Sequence, residues 1–370
     1  MGRPRAELFI RFAAIWVGLA IVGWISLVVE GGPVTRFSDE LASWPFLDMW
    51  ARWDSQWYES IARDGYFFDP TRQSSVAFFP LYPLLMHGVM QLGFGPLASG
   101  IVLTTALGAT GFFLFWKWGN HFAPAHTTRR AGWVLALWPL SFYLYGAVYS
   151  DALFFVLVCG AFLSLEKGNH WLTMVLGMLA TATRPVGPGV VLGLLVRSLE
   201  LRLREKKPLR VVDFLPALAG LGLVAYMAYQ YFKFGTPTAF VETQTHWNQT
   251  PGPRTWFKVN WLMGDRFFER LPRSLMHLGL ISICLLMIKR AWTRLGIGYA
   301  VYIVVVAGMP LVSSIDFIGL GRYALACFPA VFCFGGWLEE HPKWQRAWFP
   351  VSVVLLIVCI SKFSIGRYIS

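Results

Sequence analysis

The chain has 370 residues, of which 56% are hydrophobic and 14% charged. Soluble domains carry about 25% charged residues, so a water-soluble globular domain, a disordered chain and a disulfide-stapled secreted domain are all excluded. The net charge of +12 fits Lys and Arg gathered in cytoplasmic loops better than a nucleic-acid partner; at about 20 residues per span the chain accommodates one integral membrane domain over residues 1–370.

The first apolar run, 8–29, follows Arg3 and Arg5, which place its start in the cytoplasm. No small-x-small cleavage site follows, so a retained first helix is expected. Residues 30–79 form a first outer loop with eight of the chain's twenty acids. Residues 80–94 are apolar but hold Pro80, Pro83 and His87, which predicts a re-entrant or interface-lying piece. Arg129 and Arg130 belong in the cytoplasm, so the crossing is assigned to 97–118. Helices are expected at 131–147, 150–166, 170–184 and 187–200, delivering the six basic residues of 197–210 to the cytoplasm. A helix at 211–232 leads to a second outer loop, 233–270. Helices at 272–289, 296–313, 323–338 and 347–363 complete an all-α polytopic bundle of eleven crossings.

On this topology thirteen of the twenty acids lie outside. The positive-inside rule does not require that, because acids contribute little to topology. The five cysteines fall in apolar runs without CxxC spacing and read as small buried hydrophobes. The seven histidines show no HxxxH or HExxH pairing, so no metal cofactor is expected. A divalent cation on Asp54 and a lipid phosphate is compatible with the residues but has no motif behind it. Asn248-Gln249-Thr250 is a weak glycosylation sequon followed by Pro251.

The densest constellation runs from Arg52 to Tyr66, WDSQWYESIARDGY after the Arg. As one helix ending at Gly65 it places Trp50, Trp53 and Trp57 on one face, which predicts a helix lying flat at the membrane surface. Asp54 then stands at the edge of that face. Two readings stand: a general base for a lipid-linked substrate, or a carboxylate that solvates an interfacial helix. A proline-kinked elbow, Ala77-Phe78-Phe79-Pro80-Leu81-Tyr82-Pro83-Leu84-Leu85, follows.

These two stretches resemble the first outer loop of the PIG-V-like mannosyltransferases, membrane glycosyltransferases of the GT-C superfamily. Tyr149-Ser150-Asp151, Ala180-Thr181-Ala182-Thr183-Arg184-Pro185-Val186-Gly187, Gly235 through Trp247, and Gly321-Arg322-Tyr323 are similar to later elements of that family, in order. Asp151 stands where the family has Glu more often, which keeps the charge and shortens the reach.

The resemblance implies an inverting transfer of a sugar, mannose first, from a polyprenyl-phosphate donor to a lipid or glycan acceptor on the outer or lumenal face. It makes Asp54 the base. Arg184 and Arg322 are candidates for the donor phosphate, since a guanidinium binds oxyanions with two parallel donors. For Arg184 the competing reading is snorkelling to the interface, and for Arg322 an interfacial anchor. Asp151 is a substrate-binding candidate or a helix cap. Tyr58, Gln244, His246 and Trp247 complete the substrate-binding expectations, with Trp247 stacking on a sugar or anchoring at the interface. The competing function is a lipid or anion transporter. That class places ionisable groups near the midplane, often within inverted repeats, whereas here the acids cluster in a loop and no repeat is visible.

Overall fold

The computed structural model describes residues 3–247, 249, 252–264 and 267–369. Asn248, Thr250 and Pro251 of the sequon stretch lie outside the described residues, as do the side chains of Arg3 and Arg5. Every regular element among the described residues is helical. In chain order these are α1 (Arg3–Glu30), α2 (Pro45–Asp48), α3 (Ser55–Asp64), α4 (Leu81–Met90), α5 (Pro96–Phe122), α6 (Ala125–Ala136), α7 (Phe142–Tyr145), α8 (Asp151–Glu166), α9 (His170–Thr181) and α10 (Gly187–Arg204). A 3₁₀ stretch at Val211–Gly220 runs into α11 (Leu221–Phe234). Then come α12 (Ala239–Glu242), α13 (Pro253–Trp256), α14 (Val259–Leu262), α15 (Phe267–Leu286), α16 (Ile288–Arg294), α17 (Ile297–Ser313), α18 (Leu320–Ala326), α19 (Phe328–Glu340) and α20 (Pro342–Ser364).

The chain is an integral multi-pass membrane protein, but the expected eleven membrane-spanning helices are not there. Five helices among the described residues are long and apolar enough to cross: Ala6–Glu30, Pro96–Phe122, Val211–Phe234, Phe268–Arg294 and Pro342–Ser364. Of the others, α8 and α17 form where expected but reach only 16 and 17 residues, and α10 carries Arg197, Glu200, Arg202 and Arg204; breakers shorten the remaining three. The 131–147 run stops at Ala136, ahead of Pro139, and resumes only as the four-residue α7. The 170–184 run stops at Thr181, ahead of Pro185, leaving 12 residues, about 18 Å of helix against a hydrocarbon core of about 30 Å. The 323–338 run is split at Cys327, ahead of Pro329. Apolar composition set the expected count, whereas uninterrupted helix length and the charges within each helix set the observed one. Residues 80–94 contain a short apolar helix, α4, with Pro83 in its first turn.

Two compact units emerge: the first takes the chain up to Gly65, Leu81–Cys159 and Phe334–Ile369, and the second takes Tyr66–Pro80 and Gly160–Cys333. In the first, α1 packs along α20 and α5. Glu40 from the loop after α1 accepts the backbone N–H groups of Leu97 and Ala98 at 2.9 and 3.0 Å. A carboxylate there satisfies orphan donors and complements the helix dipole of α5.

In the second unit, α10 packs on α17 and α9 on the 3₁₀ stretch. Arg197 clamps this layer: its Nε and Nη2 donate to the two Glu166 oxygens at 2.7 and 3.0 Å, and its Nη1 donates to Glu200 at 2.9 Å. The Tyr299 hydroxyl donates to Glu166 at 2.8 Å. One of the six basic residues read as a topology marker is therefore a buried structural arginine. At Gly222 the backbones of α11 and α9 come so close that a Cβ would lie 1.8 Å from the Met178 carbonyl oxygen.

Candidate active site

The first unit brings together Asp54, Tyr58 and Asp151. The approach to Asp54 is built on a buried ion pair. Arg52, 1% exposed, donates from Nη2 to the Asp48 carboxylate at 2.7 Å and from Nη1 to the Asp48 and Ala51 carbonyls at 2.6 and 2.8 Å. Its Nε donates to the carbonyl of Ser364, at the end of α20, at 2.7 Å. Arg36 adds a second guanidinium on Asp48 at 3.1 Å. Burial pulls the Arg52 guanidinium down from its ordinary value, and Asp48 opposes that pull. With every donor group of Arg52 engaged, the backbone from Asp48 to Arg52 is fixed to the C-terminal helix.

Trp53 then takes φ +54°, a left-handed conformation that bulky residues rarely adopt. This turn starts α3 at Ser55, so the expected single helix through Trp50 does not form. Trp50 is buried and stacks on Trp16 at 5.8 Å. Trp53 meets Phe37 and Tyr368 edge-on. The three tryptophans therefore share no helix face, and the flat interfacial helix predicted from them is corrected. Gly65, at φ +83°, does end α3 as expected.

Asp54 occupies the N-cap position of α3, but its side chain does not cap the helix. Its backbone N–H donates to the Tyr149 hydroxyl at 3.1 Å, and its side chain is half-buried. One turn on, the Tyr58 hydroxyl donates to Ser150 Oγ at 2.9 Å. Asp151 follows as the first residue of α8, 3% exposed. Thus Tyr149 and Ser150, which directly precede Asp151, dock on the Asp54–Tyr58 stretch. Glu59, buried behind them, accepts from the Ser38 hydroxyl at 3.2 Å. Burial holds its carboxyl above the ordinary range, against the opposing pull of Ser38 and Arg63.

The second unit holds the other expected site residues. Arg184, 5% exposed, lies in the turn between α9 and α10, and its guanidinium sits over the Tyr323 ring at 4.8 Å. The Ala180–Gly187 and Gly321–Tyr323 stretches, far apart in sequence, meet through that cation–π contact. Arg322 is the neighbour of Tyr323 on α18. The N–H of Gly321 donates to Nδ1 of the buried His277 at 3.0 Å, so the ring accepts there and carries its proton on Nε2.

Gln244, His246 and Trp247 are engaged in loop contacts. Gln244 donates to the Phe240 carbonyl at 3.0 Å. His246 Nε2 donates to the Pro70 carbonyl at 2.9 Å, and Gln73 returns a bond to the His246 carbonyl at 3.1 Å. The Trp247 ring meets Phe78 edge-on at 5.6 Å. His246 and Trp247 thereby bind the 66–80 segment to the 239–247 segment, and Gln244 bonds within the latter. Among the described residues no group of three or more His, Cys, Asp or Glu side chains is arranged to hold a metal ion.

Sequence reasoning missed Asp48, Tyr149 and His277 as organising residues. His277 did carry a signal, an ionisable residue at the start of the apolar part of α15. The role of Tyr149 depends on a partner 95 residues away, and that of Asp48 on the burial of its pair with Arg52, which sequence does not display.

A family model described as mannosyltransferase (PIG-V) matches residues 34–251, more than half of the chain. Among solved structures, the fold is similar to ArnT from Cupriavidus metallidurans bound to undecaprenyl phosphate, at 12% identity, over 96% of this chain and 76% of that one, with a TM-score of 0.52. The apo state of the same protein gives 12% identity, the same shares of 96% and 76%, and a TM-score of 0.51. The oligosaccharyltransferase of Archaeoglobus fulgidus in its apo form is more distant, at 10% identity, 96% of this chain, 56% of that one and a TM-score of 0.46. No curated protein matches the chain.

Proposed function

The chain belongs to the PIG-V mannosyltransferase family of the GT-C superfamily, and from that premise we propose that it moves mannose from a polyprenyl-phosphate donor to an acceptor hydroxyl, with inversion. Asp54 is the proposed base. It takes the proton of the acceptor hydroxyl while that oxygen bonds to the anomeric carbon. The bond from that carbon to the phosphate oxygen breaks, and the polyprenyl phosphate leaves with the electron pair. Arg184 and Arg322 are the proposed partners of the donor phosphate, because positioned cations stabilise charge that grows on a departing oxygen. Asp151 and Tyr58 are proposed to orient the acceptor. The reaction face is proposed to be the one away from the basic run that ends at Arg210.

One observation carries this reading. The two elements of the family resemblance that carry Asp54 and Asp151 meet through the Asp54 N–H to Tyr149 and the Tyr58 hydroxyl to Ser150, beside a strained Trp53. Strained backbone persists where the surroundings enforce it, and it clusters at active sites. The likeness to ArnT supports the donor class, since that structure holds a polyprenyl phosphate.

The test offers the purified protein radiolabelled polyprenyl-phosphate mannose with lipid and glycan acceptors. Label is expected in an acceptor, with polyprenyl phosphate released in equal amount. Donor flux across liposomes without any transfer would overturn the proposal in favour of a transporter.

A further inference from the structure

The first unit also holds a cavity of about 330 Å³, within the range of small-ligand sites (about 300–1,000 Å³). Its wall comes from the N-terminal part of α1, the C-terminal end of α5, α6 and Tyr145. From Ile15, the last wall residue on α1, the helix runs 15 residues further to Glu30, about 22 Å at 1.5 Å per residue. The loop that carries Asp54 starts at that far end and returns to stack Trp50 on Trp16, but none of Asp54, Tyr58, Tyr149, Ser150 and Asp151 lines the cavity.

Three features describe what would fill it. The wall is largely apolar and aromatic, with Phe12, Trp116 and Trp133 among its residues, and two of its helices are of membrane-spanning length. The rim is basic. Arg11 and Arg129 both line it against the single acid Glu7. Glu7 pairs with Arg11, whose guanidinium is also held 5.1 Å from the Trp133 ring centroid. Arg129 is exposed. Finally, Thr128 is a wall residue 1% exposed, and its hydroxyl finds no hydrogen-bond partner among the described residues. Buried hydroxyls are as a rule paired. An apolar slot with a cationic mouth and a spare hydroxyl matches a molecule with a hydrocarbon chain and an anionic head.

We propose that this cavity holds an acyl chain of an anionic phospholipid, with the lipid phosphate against Arg11 and Arg129. The charge balance of the rim selects an anionic over a zwitterionic headgroup, because charge-assisted bonds to phosphate are the strong ones. Gly132 gives a direct way to close the slot. It lines the cavity, and a Cβ there meets nothing within 4 Å, so a larger side chain has room to enter.

The full chain would be placed in nanodiscs of equal dioleoyl-phosphatidylglycerol and dioleoyl-phosphatidylcholine, released, and its retained lipids counted by native mass spectrometry. Wild type is expected to retain phosphatidylglycerol over phosphatidylcholine by about tenfold. Gly132→Leu is expected to lose most retained lipid. Arg11→Gln with Arg129→Gln is expected to retain lipid without the preference. Equal retention of the two lipids by wild type overturns the proposal, as does undiminished phosphatidylglycerol in Gly132→Leu. If Gly132→Leu does not fold, Arg129→Gln alone, on an exposed side chain, decides: an unchanged preference overturns the proposal.

Discussion

Asp54 and Glu59 lie half a helix apart on α3 and illustrate two fates of a loop carboxylate. Asp54 is held by its backbone at the end of a strained turn, with its side chain left out of helix capping. Glu59 is buried, and its carboxyl is raised above the ordinary 4.5. An acid raised by burial favours the folded protein while it is protonated. That contribution is fully present below the unfolded value and is lost as pH rises through the raised folded value. Glu59→Gln keeps an acceptor for Ser38 and removes the titration. Its melting temperature is therefore expected to fall less than that of wild type as pH rises from about 4.5 to neutrality; parallel profiles for the two proteins would contradict this. Asp54, Tyr58 and Asp151 were legible in the sequence as a charged, aromatic motif. The Arg52 anchor was not, because its acceptor is a backbone carbonyl 312 residues away, and a carbonyl carries no residue signature.

The helices repeat that division between side-chain and backbone information. Their existence could be read from apolar runs, and the ends of α3 and α5 from Gly65 and Pro96. Their expected lengths overran, because that reading set apolar composition above Pro139, Pro185 and Pro329, breakers that stand in the sequence. Close helix approaches were hidden, since nothing about Gly222 in sequence separates it from other apolar-run glycines. Gly222→Ala would drive a Cβ onto the Met178 carbonyl, an overpacking expected to lower stability by about 1–3 kcal/mol. Gly279→Ala, where a Cβ meets nothing within 4 Å, is the matched control and is expected to be near neutral. Thermal unfolding in detergent separates the two variants, and equal midpoints would contradict the close approach.

Across the chain, the scarcity of charge, 14% of residues, singled out the acid-rich stretch 30–79. Its acids turn out to serve two purposes. Glu40 caps α5, Asp48 anchors Arg36 and Arg52, and Glu30 pairs with Arg367. Part of the acid excess is therefore architecture, and within this stretch the proposed chemistry rests on Asp54, with Tyr58 beside it and Asp151 brought up by the Tyr149 and Ser150 contacts. The family named by resemblance is the one whose model matches residues 34–251. The most direct measurement compares initial rates of mannose transfer from polyprenyl-phosphate mannose by wild type and Asp54→Asn, with folding of both verified by their melting temperatures. The substitution leaves the backbone bond to Tyr149 in place and removes the base. A loss of about 10²–10⁴-fold in rate is predicted. A folded Asp54→Asn protein that transfers mannose at the wild-type rate would contradict the assignment.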